Sequence, residues 1–288
     1  VDSDQFYQWR LQTFNSAETT LNSFRQPLIM GVLNVTPDSF SDGGDFVDVS
    51  LAYDRANEMI ADGVDVIDIG GESTKPGAVP VSCEEELARV IPLIKRLRAS
   101  SDVCISVDTY KVDVMQAAIE AGASIINDIT ALKDKRALAL VAQKKIPVCL
   151  MHMKGHPASM QDNPIYKDDV VSEINVFFEQ RIADCLDVGI RVEQLILDPG
   201  FGFGKSVSHN LQIVKRLGEF LYHGLPLLLG VSRKSTIGDV THTAVSDRLP
   251  GSLATSVYAA WQGVSIIRTH DVKETLQALQ MVHAIVKA

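Results

Sequence analysis

From residue 28 onward, eight short runs rich in Val, Ile and Leu alternate with longer amphipathic stretches. Few architectures accommodate that rhythm. The runs cover 28–36, 64–71, 103–109, 124–129, 147–152, 195–199, 226–232 and 264–270. They are apolar at odd and even positions alike, as strands covered on both faces of a parallel sheet must be. Helical patterns lie between them at 51–62, 84–100, 111–121, 134–145, 168–188, 209–223 and 247–262, with a last one from Val272. Gly63, Gly122, Gly189, Gly224 and Gly263 stand where helix C-termini favour glycine. Eight strand–helix pairs at a repeat of about 33 residues predict an α/β fold of the (β/α)8 TIM-barrel type, usually ~250 residues long. A doubly wound sheet also alternates strand and helix, but eight pairs with no break in composition favour closure.

The expected organisation is one barrel domain over 27–288, preceded by an N-terminal extension, 1–26. That extension is polar but holds Phe6 and Trp9, and it reads as a helix packed on the barrel's exterior. Twenty-seven basic against thirty-six acidic residues leave a net charge of −9. This argues against nucleic acid or an anionic membrane surface as partner. No apolar run approaches the ~20 residues that span a bilayer. Val1-Asp2-Ser3-Asp4 opens the chain without a basic stretch leading into an apolar core, so no secretory signal is expected. Cys83, Cys104, Cys149 and Cys185 form no CxxC or Cys/His cluster and read as thiols of a reducing cytoplasm.

Polar residues collect where the apolar runs end. The run ends carry Asn34-Val35-Thr36-Pro37-Asp38, then Asp68 with Gly70-Gly71-Glu72-Ser73-Thr74, Asp108-Thr109, Asn127-Asp128, Met151-His152, Asp198-Pro199-Gly200, Ser232-Arg233-Lys234-Ser235 and Arg268-Thr269-His270-Asp271. In a closed barrel all of these share the rim on which barrel active sites are built. Asp, Asn and Ser at such positions also cap helices. Lys234 and Arg268 cannot accept a cap hydrogen bond, so the group reads as functional. Lys234, Arg268 and His270 place positive charge in an acidic chain, which suits a phosphate or diphosphate. Asn34 offers an oxygen for Mg²⁺. Asp108, Asn127 and Asp198 suit the donor–acceptor edge of an amino-substituted heterocycle; the same acids could instead bind a metal.

Two motifs mislead. Gly200-Phe201-Gly202-Phe203-Gly204-Lys205-Ser206 looks like a phosphate-binding loop, but Pro199 stands where GxxxxGK[ST] requires glycine, and the segment reads as a flexible Gly/aromatic loop. Ser232 to Ser235 resembles a serine nucleophile with a lysine base, but no hydrolase signature surrounds it. Two strand-end loops, 37–48 and 70–82, have the composition of mobile lids that exclude water from a barrel mouth.

With these residues in view, the chain closely resembles the dihydropteroate synthase family. The resemblance rests on Met30-Gly31-Val32-Leu33-Asn34-Val35-Thr36-Pro37-Asp38-Ser39-Phe40, Gly70-Gly71-Glu72-Ser73-Thr74-Lys75-Pro76-Gly77, Ser106-Val107-Asp108-Thr109, Ile126-Asn127-Asp128, Leu197-Asp198-Pro199-Gly200-Phe201-Gly202-Phe203-Gly204-Lys205, Ser232-Arg233-Lys234-Ser235 and Arg268-Thr269-His270-Asp271. It covers residues 28 to about 285 in order. It implies a transferase of folate biosynthesis, a sulfonamide target, cytoplasmic and homodimeric. The reaction implied joins 6-hydroxymethyl-7,8-dihydropterin pyrophosphate to p-aminobenzoate. By the resemblance, Asn34 holds Mg²⁺ and Arg268 and His270 bind the diphosphate. Asp108, Asn127, Met151, Asp198, Lys234 and Thr74 surround the pterin. Phe40, Thr74, Lys75, Pro76, Phe203, Lys234 and Ser235 surround p-aminobenzoate. Asn34, Asp108, Asp198, Lys234, Arg268 and His270 are the catalytic set. Lys75 departs from the family's Arg and keeps the charge without the bidentate fork. A pterin-dependent methyltransferase looks similar around the pterin pocket but has no use for a diphosphate cluster, and a non-catalytic pterin-binding homologue would not need the full rim.

Overall fold

A computed structural model of the chain describes residues 25–36, 45–73, 77–155, 160 and 164–288. Most of the expected N-terminal extension (1–24), Phe40, and Thr74, Lys75 and Pro76 lie outside the described residues. The chain runs β1 (Leu28–Asn34), α1 (Asp45–Ala61), β2 (Val66–Gly70), α2 (Cys83–Ser100), β3 (Cys104–Asp108), α3 (Val112–Ala121), β4 (Ile125–Asp128), α4 (Lys135–Lys144) and β5 (Val148–Met151). It continues through α5 (Val170–Asp187), β6 (Leu195–Asp198), α6 (Val207–Lys215), β7 (Leu228–Gly230), α7 (Ser235–Thr241), α8 (Leu249–Trp261), β8 (Ile266–Thr269) and α9 (Val272–Lys287).

All paired strands are parallel, in the order β6-β5-β4-β3-β2-β1-β8-β7. The two ends of that series meet through one bridge, Leu197 to Leu227, where Leu197 N donates to Pro226 O at 2.9 Å. The sheet is thus a nearly closed eight-stranded barrel, as the alternation predicts. Ile29, Ile67, Ile105, Val107, Ile126, Val148, Leu195 and Ile267 face outward into one apolar layer shared with the helices, including Phe178 and Phe220. Short caps fix where helices start. Ser82 accepts from Glu85 N at the head of α2, and Asp134 from Arg136 N at the head of α4.

The differences from the sequence reading are local. α1 starts at Asp45, so residues 45–48, read as loop from the sequence, are helical. The helix expected over 209–223 breaks at Arg216 into α6 and a 3₁₀ segment, Leu217–His223. α7 is an additional helix of 7 residues that begins at Ser235, the last residue of the Ser232–Ser235 motif.

Candidate active site

Alternate side chains of a strand point to the same face. On the inner face of this barrel they change from apolar to polar along the chain direction. Met30, Val66, Ile125, Cys149, Ile196, Leu228 and Ile266 form a separate buried cluster inside the N-terminal half. Two or four residues further along the same strands stand Asn34, Asp68, Asn127, Met151, Asp198 and Arg268, with Asp108 at the end of β3. The polar layer therefore rests on a dry floor, where charges interact more strongly than in water.

Arg268 organises that layer. Its Nε donates to Asp68 Oδ2 at 2.7 Å, and its Nη2 donates to Asp108 Oδ2 at 2.8 Å. Asn127 Nδ2 donates to the same Asp68 oxygen at 3.0 Å. Burial pushes the Asp108 carboxyl up to about 7; the Arg268 charge opposes that rise, and Asp68 adds to it. Asp198 accepts from Gly200 N at 2.7 Å. Burial also raises its carboxyl, with the Gly200 bond and the Lys234, Lys205 and Arg268 charges pulling the other way. Asn34 and Asp108 flank Gly70, where an added Cβ would lie 3.5 Å from both Asn34 Oδ1 and Asp108 Cβ.

On the opposite side of the mouth, Lys234 stands at the N-cap position of α7 with no side-chain cap bond, and Ser235 is that helix's first residue. The Lys234 ammonium donates to Phe201 O and stands 4.3 Å from the centre of the Phe203 ring. Burial lowers it to about 8, against the attraction of Asp198. Met151 packs with Ile129, Met153 and Met160, and Phe203 and Tyr110 pack against that group. His270 is turned toward β7: its Nδ1 lies 3.1 Å from Ser232 Oγ, which also accepts from His270 N at 3.2 Å.

The structure thus brings Asp108, Asn127 and Arg268 into one hydrogen-bonded network, sets Asp198 and Lys234 within its field, and pairs Lys234 with Phe203. His270 joins the rim through Ser232 instead of through the acids. Two residues of the arrangement escape sequence reasoning. Asp68 shows itself only as a run-end acid, yet it is the fully buried acceptor shared by Asn127 and Arg268. Lys205, in the segment read as a flexible loop, has its ammonium enclosed among backbone carbonyls. That loop is therefore tied down, and the sequence reading of it needs correction.

The comparisons with known proteins agree with this geometry. Residues 30–270 match the family described as pterin binding enzyme. The chain is 52% identical over 272 residues to the dihydropteroate synthase of Escherichia coli, covering 94% of this chain and 96% of that one. It is 46% identical to the Haemophilus influenzae dihydropteroate synthase, over 91% of this chain and 95% of that one. Yersinia pestis dihydropteroate synthase in a sulfonamide drug complex superposes with a TM-score of 0.87 at 48% identity, covering 92% and 96% of the two chains. The Xanthomonas albilineans dihydropteroate synthase with 4-aminobenzoic acid gives 0.86 at 44% identity, covering 92% and 95%. A fold, a polar layer and a sequence that agree over this length leave one assignment: the chain belongs to the pterin-binding enzyme family, among the dihydropteroate synthases.

Proposed function

We propose that this site condenses 6-hydroxymethyl-7,8-dihydropterin pyrophosphate with p-aminobenzoate, giving 7,8-dihydropteroate and pyrophosphate. The observation that carries the reading is the 2.8 Å bond from Arg268 to Asp108, because it puts a diphosphate-binding cation and a ring-binding acid at one mouth. The bond from the exocyclic methylene to oxygen breaks, and its electron pair leaves with the diphosphate. The arylamine nitrogen forms the new C–N bond and gives up a proton.

Asp108, Asn127 and Asp198 hold the edge of the pterin, with Met151 and Thr74 beside it. Arg268 and His270 stabilise charge on the departing diphosphate, a preorganised electrostatic contribution that needs no covalent intermediate. Lys234, Phe203 and Ser235 seat the arylamine, and Phe40, Thr74, Lys75 and Pro76 complete its surroundings. Asn34 fits a Mg²⁺ ion held mainly by diphosphate and water. It supplies one amide oxygen, and no group of three or more His, Cys, Asp or Glu among the described residues is placed to hold a metal by itself. Such an ion would supply further neutralisation of the leaving group.

Arylamines built like p-aminobenzoate, sulfonamides among them, would compete at Lys234 and Phe203. The chain reads as a cytoplasmic homodimer. Four cysteines without a disulfide support the compartment, and the family resemblance supports the dimer. No described helix is long and apolar enough to cross a membrane. A coupled pyrophosphate-release assay tests the reaction: release is expected to depend on p-aminobenzoate. Asp108→Ala is expected to lower kcat/KM by at least about 10³-fold with an unchanged circular dichroism spectrum. Release independent of p-aminobenzoate, or a variant near wild type, would overturn the assignment.

A further inference from the structure

A lysine ammonium lies fully enclosed beside the site, and the chemistry above makes no use of it. Lys205 is 2% exposed. The loop that ends in Lys205 lies directly on the backbone beyond β5. A Cβ on Gly200 (φ +67°) would fall 1.9 Å from His152 O, and one on Gly204 (φ +63°) would fall 2.2 Å from Lys154 O. Such close approach turns several carbonyls into a space that water does not reach, and buried carbonyls require donors. Lys205 Nζ is that donor. It lies 2.9 Å from Gly200 O, 3.0 Å from Phe203 O and 3.2 Å from His152 O, with His152 Nδ1 at 3.0 Å. Burial and the neighbouring lysine charges hold the His152 ring well below its usual pKa, which leaves a neutral ring whose Nδ1 can accept. Burial likewise holds Lys205 well below the usual lysine range, with the Asp198 charge opposing that fall, so the clamp rests on the hydrogen bonds that Nζ donates.

We propose that Lys205 is a positioning residue whose ammonium clamps the loop after β6 onto the end of β5 and thereby fixes the arylamine seat. The two halves of the site depend on this loop unequally. Both arylamine contacts hang from it: Phe203 belongs to it, and Lys234 is anchored on Phe201 O and lies over Gly202. The pterin side is held chiefly by the sheet, its tie to the loop being the bond from Gly200 N to the Asp198 carboxylate at 2.7 Å. Asp198 pairs with Met151 in register, its carbonyl accepts from His152 N at 2.9 Å, and Asp108, Asn127 and Arg268 sit on other strands. Losing the clamp therefore loosens one substrate and spares the other.

The inference rests on the proposed reaction, and its test separates the two. Wild-type pyrophosphate release that does not respond to p-aminobenzoate would sink the reaction itself. Given that response, Lys205→Met keeps the length of the side chain and removes the Nζ donor. It is expected to raise the KM for p-aminobenzoate at least tenfold and to leave the KM for the pterin diphosphate within about threefold. Amide exchange over 200–204 is expected to accelerate in the unliganded variant. If that variant does not fold, His152→Leu removes one of the four acceptors and is expected to give the same split at about threefold. Equal changes in both KM values, or a fall in active fraction with both KM values unchanged, would overturn the proposal.

Discussion

Replacing Asp68 with Asn probes how the buried polar layer is balanced. Asp68 and Asp108 grip one guanidinium at Nε and Nη2. Two carboxylates about 6 Å apart repel by about 3 kcal/mol at an effective dielectric of ~20, or about 2 pH units on a titration, which sets the scale for Asp68 acting on Asp108. Asparagine keeps an oxygen for Asn127 and Arg268 but carries no charge. Asp108 then loses a neighbour that raises its pKa and keeps the one that lowers it, so its titration moves down from about 7. After screening by Arg268, the expected shift is about 1–2 units.

If the ionised Asp108 binds the pterin edge, kcat/KM climbs with pH through this titration in the free enzyme. The acid limb of the Asp68→Asn profile, measured with the pterin diphosphate between about pH 5 and 9, therefore moves to lower pH. Folding stability responds to the same titration. The folded protein keeps the Asp108 proton up to about pH 7, while the unfolded chain releases it near 3.8, so this group costs the wild type stability progressively as pH rises across that window. The variant is expected to lose less melting temperature between those values. An acid limb that stays in place or moves to higher pH would refute the reasoning.

Burial lowers Lys234 to about 8, so its ammonium is lost as pH rises past that value. A decline in kcat/KM for p-aminobenzoate above about pH 8 is expected, and Lys234→Met is expected to abolish that limb together with most of the affinity. Gly200→Ala forces a Cβ to within 1.9 Å of His152 O at a positive φ; a loss of more than about 3 kcal/mol is expected in denaturant titration, and a loss under about 1 would contradict the packing. Chelation with EDTA is expected to suppress turnover reversibly, with Mg²⁺ restoring it. Asn34→Ala is expected to raise the Mg²⁺ concentration for half-maximal rate by at least about tenfold, the scale on which even outer-shell metal contacts matter.

The barrel was legible because its strands are buried on both faces and so spell continuous runs of Val, Ile and Leu. The rim was legible because each run stops at a polar residue. What the sequence did not show depends on distance across the barrel. Asp68 belongs to no separate motif, and its role appears only when β2 and β8 flank β1 and bring it to Arg268, 200 residues away in the chain. Lys205 ends a glycine-rich segment whose composition suggests mobility; only the contact of Gly200 and Gly204 with the backbone beyond β5 shows that the segment is pinned. The short helix α7, Ser-Thr-Ile-Gly-Asp-Val-Thr, is rich in residues with poor helix propensity. Packing holds it, with Ile237 and Gly238 buried.

The hoop of strands is not uniformly laced. Between β6 and β7 a lone bridge from Leu197 to Leu227 does the work that several register pairs do at every other joint. Asp198 adjoins that joint on one flank, and the turn bearing Lys234 follows β7 on the other. The sparsest lacing of the ring therefore falls between the strand that ends in Asp198 and the turn that carries Lys234, while β3, β2, β1 and β8, which surround Arg268, are joined by several register pairs at each seam.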